Sequence, residues 1–353
     1  MSTKEPVKVQ QPSRNQWISS KLAIFSALVV ALIALGYGYQ YYSSLGTAYI
    51  TSPLSFYSNP WSASTDPAKR AYATTLYDEG YLPGALLLGH TLRKHGMIDS
   101  RVAQHMVLLH IPGRVSNRSL ELLEEVGWTT ASVSRILPPP GRPPAHNFMD
   151  QYTKLRLFEL EQFDQVFYMD ADMIVVKPFP EVWSFPVPFA ATRDVRMGYG
   201  WLPTINCGSL LLKPSVPLLN HMLEIAPSFK YNTVFAEQGL LNGTYLQAGL
   251  NLRSLTENGT AYWWRDITFL PYIYNAQLGI KRVFPKIWEE FKHDIKILHL
   301  TGVKPWDWIE KTDMPIEREL WHHEWQEMIK QRRREGSPNL NDLESILRPE
   351  MER

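Results

Sequence analysis

The sequence predicts an α/β domain with a central, mainly parallel sheet, and three observations support that fold class. Short apolar runs alternate with segments of helical spacing through the middle of the chain. The run at 166–176 is apolar apart from two aspartates, which suits a strand that is covered on both faces. With 353 residues, 44% of them apolar, the chain can also bury a substantial core.

The predicted elements alternate along the chain. Strands are predicted at 71–76, 106–109, 131–136 and 205–212 and in the run that ends at His299, and helices at 80–95, 116–126, 152–160 and 318–334. Alternating strands and helices with right-handed crossovers give a parallel sheet. The segment 138–144 contains five prolines and is predicted to be a loop, because proline donates no backbone hydrogen bond. The charged tail after 334 is predicted to be peripheral or disordered.

The first 42 residues have the pattern of a membrane anchor. Residues 22–42 are uncharged over about the length that crosses a bilayer as a helix. Four basic residues precede this span and none follows until Lys69, so the amino terminus is predicted to be cytosolic and the rest lumenal. A cleaved secretory signal is the alternative.

The chain therefore divides into five predicted parts. They are a cytoplasmic tail (1–21), a single transmembrane signal anchor (22–42), a stem (43–68), the main domain (69–310) and a C-terminal helical and charged extension (311–353). The net charge of +1 gives no electrostatic reason to expect nucleic acid as a partner. The single cysteine, Cys207, excludes an intramolecular disulfide.

Two aspartates interrupt the apolar run at 166–176. Asp170 and Asp172 are predicted at the end of a buried strand, on the sheet edge where α/β proteins usually bind ligands. Two carboxylates at that edge suit a divalent cation, Mn²⁺ or Mg²⁺, which prefers oxygen ligands and in turn binds phosphates. The alternative is that both acids only cap the strand and start a turn.

Several blocks in order resemble glycosyltransferase family 8, the glycogenin-like enzymes. They are the Asp-x-Asp strand at 163–172, the helix at 152–160, the Asn-x-Gly segment from Asn206, the Glu-Gln-Gly-x-x-Asn block at 237–242 and the His-x-x-Gly-x-Lys-Pro-Trp block at 299–306. The resemblance covers about residues 70 to 308. It implies a GT-A type, Rossmann-like catalytic domain that uses a UDP-sugar donor and Mn²⁺ or Mg²⁺. It also implies a single-pass type II protein of the Golgi membrane.

The resemblance assigns roles to twelve residues. The metal ligands are Asp170, Asp172 and His299; the residues that bind the donor are Thr74, Thr75, Tyr81, Lys154, Gly302 and Lys304; the catalytic residues are Gln238, Glu237 and Asn206. Tyr81 would stack on uracil, although helix packing is an alternative for it. Gln238 would lie near the anomeric carbon. Glu237 stands where the family usually has aspartate, so its reach to the sugar hydroxyls is altered.

The implied reaction is transfer of a hexosyl unit to a glycan or glycoprotein, with retention of the anomeric configuration. Family members that glucosylate themselves use a tyrosine after a Leu-Pro-x-Ile-Tyr-Asn motif, but Arg282 and Phe284 stand there in this chain, so the acceptor is predicted to be a separate molecule. Glucose, galactose, glucuronic acid and N-acetylglucosamine all stay open as donor sugars. A non-catalytic, membrane-anchored carbohydrate-binding or scaffold protein with the same fold is the alternative function, and a homodimer is one open assembly.

Overall fold

The computed structural model describes residues 54–55, 65–145, 148–185, 188–196, 200–246, 256–257, 260–261, 267–307 and 315–347. The predicted cytoplasmic tail, the predicted transmembrane span and most of the predicted stem lie outside these residues. Among the helices of the described part, none has both the length and the hydropathy needed to cross a membrane.

The described strands and helices are numbered in chain order. The strands are β1 Leu54–Ser55, β2 Arg70–Leu76, β3 His105–His110, β4 Thr129–Ser132, β5 Gln165–Met169, β6 Met173–Val175, β7 Phe189–Arg196, β8 Gly200–Leu212, β9 Thr256–Glu257, β10 Thr260–Ala261, β11 Ile267–Phe269, β12 Ala276–Gln277 and β13 Ile297–His299. The helices are α1 Leu82–Lys94, α2 Asn117–Glu125, α3 Val216–Ile225, α4 Ala236–Leu246, α5 Leu278–Val283, α6 Pro285–Phe291, α7 Pro315–Arg334 and α8 Leu340–Ile346.

The central sheet has the strand order β1-β11-β7-β8-β5-β2-β3-β4. Four of the seven pairings among these described strands are parallel, which confirms the mainly parallel sheet. β8 runs antiparallel to both of its neighbours, β5 and β7. The end of β5 therefore meets the middle of β8, and polar residues of β8 can lie beside the chain that leaves β5.

The core of the sheet consists mainly of apolar side chains and aromatic rings. All five residues of β5 are buried. Tyr72, Phe167, Phe179 and Trp183 pack edge to face around the start of β5, and the Trp183 ring nitrogen donates to the Tyr72 hydroxyl at 3.0 Å. Such pairs add to the apolar area that they bury, because ring edges and faces carry opposite partial charge.

The aspartate-containing run forms two strands, which corrects the single strand predicted at 166–176. β5 ends at Met169, a turn holds Asp170 to Asp172, and β6 begins at Met173. β6 leaves the central sheet and pairs with β13 in a second sheet of order β12-β13-β6. Two carboxylates in the middle of a continuous strand would be buried without partners, so the chain turns at them.

Two further elements differ from the predictions. The strand predicted at 131–136 is β4, which begins two residues earlier and ends four residues earlier, because Val133 donates to the His110 carbonyl and the chain then turns away toward the proline segment. The helix predicted at 152–160 is a 3-10 helix, Gln151–Glu159. It packs against α3 and α4, whereas α1 packs against β6, α2 and α7.

The C-terminal extension is packed on the domain and is not a peripheral tail. Trp321 and Trp325 of α7 are buried and stack with ring centroids 5.3 Å apart, and Trp321 also contacts Trp306 at 5.5 Å. The expected disorder after 334 is wrong for α8, where Leu343 is fully buried and Asp342 pairs with an arginine of α2. The charged composition concealed these few apolar anchors.

Candidate active site

The Asp-x-Asp turn is held by backbone hydrogen bonds from two directions. The Asp170 amide donates to the Gly208 carbonyl at 2.8 Å, which ties the turn to β8. The Leu300 amide donates to the Asp172 carbonyl at 3.0 Å, which ties it to the segment after β13. The side chains of the turn therefore face residues from β8 and from the end of β13.

Asp172 is buried between two nitrogen groups. His299 Nε2 lies 3.2 Å from Asp172 Oδ1, and the Lys304 ammonium contacts Oδ2 of the same carboxylate. Burial would raise the pKa of Asp172, but His299 and Lys304 offset that effect and hold the pKa below its usual range. The pKa of Lys304 is raised, because Asp172 and other acidic groups outweigh its burial. Asp172 is therefore ionised near neutral pH.

Asp170, Asp172 and His299 form the candidate metal site. One ligand atom from each residue lies within 4.8 Å of the others. The 3.2 Å between Nε2 and the Asp172 oxygen suits two neighbouring ligands of one octahedral ion, which are about 3 Å apart at ligand distances near 2.1 Å. Two carboxylates and one imidazole also match the donor preferences of Mn²⁺. These residues fit a divalent cation.

Lys154 is buried between the metal site and α4. Its ammonium lies 3.0 Å from Asp170 Oδ1, 2.9 Å from Glu237 Oε1 and 3.2 Å from the Cys207 carbonyl. Because an ammonium group has three N–H donors, these three acceptors use all of them. The structure thus places Lys154 as an internal tie between Asp170 and Glu237, whereas the resemblance implies contact with the donor.

The charges around Lys154 affect one another. Burial would lower the pKa of Lys154, but Asp170 and Glu237 raise it well above the ordinary value. Burial raises the pKa of Glu237, and Lys154 only partly offsets that rise. The carboxylate of Glu237 is only 4% exposed, so it faces Lys154 and not an open sugar pocket.

Of the two predicted threonines, only Thr75 is part of this cluster. Its hydroxyl lies 2.9 Å from the Tyr168 hydroxyl, which donates to Asp170 Oδ1 at 2.5 Å. Thr74 is the next residue along β2 and therefore lies on the opposite face of the strand. Its Oγ1 is buried, with no hydrogen-bond partner among the described residues.

Tyr81 lies at the start of α1 and is 42% exposed. Its ring meets the Trp306 ring edge to face at 5.8 Å, and the Lys304 ammonium lies 5.5 Å from its centroid. The Trp306 ring nitrogen donates to the Gly80 carbonyl at 2.9 Å. Tyr81 thus contacts both Trp306 and Lys304 and stays partly exposed beside the ammonium group.

Glycine is required at two positions around this site. A Cβ on Gly84 would lie 2.2 Å from the Ala171 carbonyl, so α1 can approach the Asp-x-Asp turn only without a side chain there. Gly302, between His299 and Lys304, has a φ of +92°, which favours glycine. This backbone turn lets both side chains reach Asp172.

A second polar group joins the predicted catalytic residues Asn206 and Gln238. Asp194 of β7 accepts from the Asn206 amide at 3.2 Å and from the Gln238 amide at 3.3 Å. Gln238 Oε1 in turn accepts from the Cys207 backbone N–H at 3.0 Å. Asn242 bonds to both the N–H and the carbonyl of Ile205, which anchors α4 on β8.

Three residues of the site were not assigned from the sequence: Tyr168, Asp194 and Asn275. Asn275 ends the Leu-Pro-Tyr-Ile-Tyr-Asn segment at 270–275, a pattern that by itself predicts no role for it in the site. In the structure it is fully buried and lies 2.8 Å from the His299 ring. Asp194 lies in the charged second half of β7, directly after Arg193, where an acid predicts no special role.

Ala236, the residue before Glu237, has a strained backbone. Its φ of 48° and ψ of −124° lie in a region that strongly favours glycine. Strain of this kind costs on the order of 1 to 3 kcal/mol. We expect Ala236→Gly to stabilise the protein by about 1 kcal/mol, measured as the free energy of unfolding in urea.

Ala226 provides the matched control for that substitution. It is also buried, but its φ of −51° and ψ of −37° are helical. Ala226→Gly should therefore destabilise the protein by about 0.5 to 1 kcal/mol, because glycine loses more backbone freedom on folding. Equal losses in both variants would contradict the strain at Ala236.

Comparison with curated proteins finds relatives of one kind. The chain is 29% identical over 254 residues to inositol phosphorylceramide glucuronosyltransferase 1 of Arabidopsis thaliana, and the match covers 70% of this chain and 44% of that protein. It is 28% identical over 244 residues to glycogenin of Neurospora crassa (67% of this chain, 31% of that protein) and 28% identical over 248 residues to glycogenin-1 of Mus musculus (68% and 66%). These relatives support the resemblance to glycosyltransferase family 8, the glycogenin-like enzymes. No family model matches the chain.

Solved structures show the fold of the chain. The bifunctional glycosyltransferase WbbM matches with a TM-score of 0.51 and 15% identity, over 79% of this chain and 52% of that one. An active-site mutant of LgtC matches with a TM-score of 0.50 and 14% identity, over 72% and 94%. The chain therefore has the GT-A α/β fold. It spans less than half the length of the first two curated relatives above.

Proposed function

We propose that this chain is a metal-dependent glycosyltransferase that uses a UDP-sugar donor. The observation that carries the proposal is the convergence of Asp170, Asp172 and His299 on one point, with Lys304 beside them at the end of a GT-A sheet. The relatives support the same class, because they include glucuronosyltransferases and glycogenins.

Departure of UDP requires stabilisation of the negative charge that grows on the diphosphate. A bound Mn²⁺ or Mg²⁺ would be held by Asp170, Asp172 and His299 and would act as a Lewis acid toward that diphosphate. Lys304 adds a second positive charge next to the metal site. Its ammonium group is held there by the Asp172 carboxylate and by a hydrogen bond to the Leu300 carbonyl. The exposed part of the Tyr81 ring would contact the uracil.

The sugar would lie between the metal site and the polar group of Asn206, Asp194 and Gln238. We propose that the acceptor hydroxyl oxygen bonds to the anomeric carbon on the face that UDP leaves, as the carbon–oxygen bond to UDP breaks. The hydroxyl proton passes to the departing diphosphate oxygen. Gln238, held by Asp194 and the Cys207 N–H, then covers the opposite face, and the configuration is retained.

The experiment that tests the function is UDP release by the full chain. We expect one UDP-sugar from a panel of glucose, galactose, glucuronic acid and N-acetylglucosamine donors to be turned over in the presence of Mn²⁺. Chelation of the metal should stop the reaction and added Mn²⁺ should restore it. UDP release with an inverted product, read by NMR of the anomeric proton, would contradict the retaining mechanism.

Two results would redirect the proposal. Mn²⁺-dependent UDP binding without turnover would mean that the assay lacks the acceptor. Neither turnover nor Mn²⁺-dependent UDP binding would favour the alternative of a carbohydrate-binding or scaffold protein. The proposed acceptor is a glycan or glycoprotein separate from the chain, so hexose on the purified protein after incubation with donor would count against it.

We also propose that the chain is a single-pass type II protein of the Golgi membrane, with its main domain in the lumen. The support is the uncharged span at 22–42 and the basic residues before it. Asn117 opens a sequon and is exposed, whereas Asn242 of a second sequon is engaged with Ile205. In secretory cells, Asn117→Gln should remove one glycosidase-sensitive mass increment and Asn242→Gln none. A chain without any glycan would oppose lumenal placement.

A further inference from the structure

The two ring nitrogens of His299 have different partners. Nε2 faces the carboxylates, 3.2 Å from Asp172 and 4.0 Å from Asp170. Nδ1 lies 2.8 Å from the Oδ1 atom of Asn275. A neutral imidazole carries one proton, and only the nitrogen without it can bind a cation. Whatever decides the tautomer of His299 therefore decides whether Nε2 can be a ligand.

The orientation of the Asn275 amide follows from groups whose roles are unambiguous. The Gly208 backbone N–H can only donate, and it lies 3.0 Å from one side-chain atom of Asn206, which must be the oxygen. The other end of the Asn206 amide is 3.2 Å from Asp194, a carboxylate that accepts. Both contacts orient Asn206 in the same way, with Oδ1 toward Gly208.

The Asn206 oxygen then orients Asn275. The atom of Asn275 that lies 2.9 Å from Asn206 Oδ1 must be the nitrogen, and this nitrogen also reaches the Thr192 hydroxyl at 2.8 Å. Both amide hydrogens are thus used, and the remaining atom, Oδ1, faces His299. An oxygen at 2.8 Å from Nδ1 requires a proton on Nδ1.

We propose that Asn275 is a positioning residue that holds neutral His299 in the tautomer with its proton on Nδ1, so that the Nε2 lone pair points at the metal. The inference rests on the proposed function only for the identity of the ion. Asn206 has a second role in this arrangement. Its oxygen accepts from the Gly208 N–H and from the Asn275 nitrogen, and so orients the Asn275 amide.

The local fold supports this arrangement. β12 begins directly after Asn275 and pairs in parallel with β13, so that Gln277 is opposite His299. Asn275 is therefore delivered to the ring by the backbone and is fully buried there. Gly208 packs against another side of the His299 ring. A Cβ on Gly208 would lie 2.5 Å from His299 Cε1, so only glycine leaves room for the ring in this position.

The first test reads the tautomer directly in the full chain. Nitrogen-15 NMR of protein labelled at histidine, at a pH well above the ordinary imidazole pKa, distinguishes a protonated from an unprotonated ring nitrogen. His299→Asn assigns the signals by their disappearance. We expect a protonated Nδ1 for His299. An unprotonated Nδ1 would overturn the proposal, whatever the variants do.

Three variants test the role of Asn275. Asn275→Ala removes the acceptor and should mix the tautomers and weaken Mn²⁺ binding about 10- to 100-fold, which is typical when the partner of a ligating histidine is lost. Asn275→Asp keeps an acceptor at Nδ1, and the Thr192 hydroxyl can turn to donate to its second oxygen. That oxygen also faces the Asn206 oxygen, so the variant should keep the tautomer and lose some affinity, but less than Asn275→Ala. Thr192→Val is the matched control, because it removes one contact of the Asn275 nitrogen and leaves those of Asn275 to Asn206 and His299.

Mn²⁺ affinity is measured by electron paramagnetic resonance of the free ion, without donor or acceptor. Equal losses in Asn275→Asp and Asn275→Ala would show that packing alone matters and would overturn the proposal. If Asn275→Ala does not fold, the wild-type tautomer and its retention in Asn275→Asp decide. A correct tautomer without UDP turnover would count against the proposed function and not against the role of Asn275.

Discussion

Asp172→Asn is expected to lower metal-dependent UDP release by about 10³-fold or more while leaving a folded protein. The substitution keeps the size of the side chain but removes the charge that a divalent ion and Lys304 both need. The loss combines a missing ligand with a displaced lysine, and removal of a single stabilising group already costs about 10²- to 10³-fold in comparable sites. Steady-state UDP release and Mn²⁺ affinity, measured on the same preparation, provide the test.

Asp294 offers a matched control for that variant. It is an exposed aspartate before β13, and its backbone N–H donates to the Phe291 carbonyl at 2.8 Å. Asp294→Asn should change neither UDP release nor Mn²⁺ affinity. Activity of Asp172→Asn within tenfold of wild type would contradict the metal site, provided that both variants fold to the same extent.

The three candidate metal ligands were predicted in two ways. Asp170 and Asp172 interrupt an apolar run, which by itself suggests a cation site, whereas His299 was grouped with them through the resemblance to glycosyltransferase family 8. The geometry was not predictable. β6 joins β13 in a second sheet, and this pairing places His299 opposite Met173, next to the turn. A one-dimensional pattern does not show which sheet a short strand will join.

Asp194 illustrates the opposite case. It lies in β7, whose pairing with β8 shifts register between Arg193 and Val195. Such irregularities re-aim side chains and break the alternation by which strands are recognised. The role of Asn275 was missed for a related reason, because it depends on contacts with Asn206 and Thr192. These residues lie 69 and 83 positions before Asn275 in the chain. Neither role is written in the neighbouring sequence.

Lys154 shows how a correct choice of residue can carry a different role. The family resemblance assigned it to the donor, and the structure brings it to the site, but its three donors are on Asp170, Glu237 and the Cys207 carbonyl. The extra methylene of Glu237, relative to the usual aspartate of the family, accompanies a carboxylate that is paired internally. In the proposed function, the residues that would recognise the donor sugar are then Asp194, Asn206 and Gln238.

Lys154→Met should therefore be strongly destabilising near neutral pH, by about 3 to 5 kcal/mol, because it leaves the buried Glu237 carboxylate without its cation. Methionine fills a similar volume, so the loss reports charge more than packing. The pKa of Glu237 is already raised in the wild type and rises further without Lys154. An acid with a raised pKa in the folded state costs stability above that pKa, and the cost disappears below the unfolded value, ordinarily about 4.3. The difference in unfolding free energy between variant and wild type should shrink as the pH falls from about 7 to about 4.5.

The double variant Lys154→Met with Glu237→Gln separates charge from packing in the same measurement. Removing both members of a buried pair is far less costly than removing one, because no unpaired charge is left inside. The double variant should recover at least half of the loss at neutral pH, and the dependence of its loss on pH should be weaker than in Lys154→Met. The coupling energy between Lys154 and Glu237 follows from the unfolding free energies of the wild type, Lys154→Met, Glu237→Gln and the double variant. An additive result, or a loss in Lys154→Met that does not change with pH, would mean that Lys154 contributes through packing, and its charge would then be free for the diphosphate.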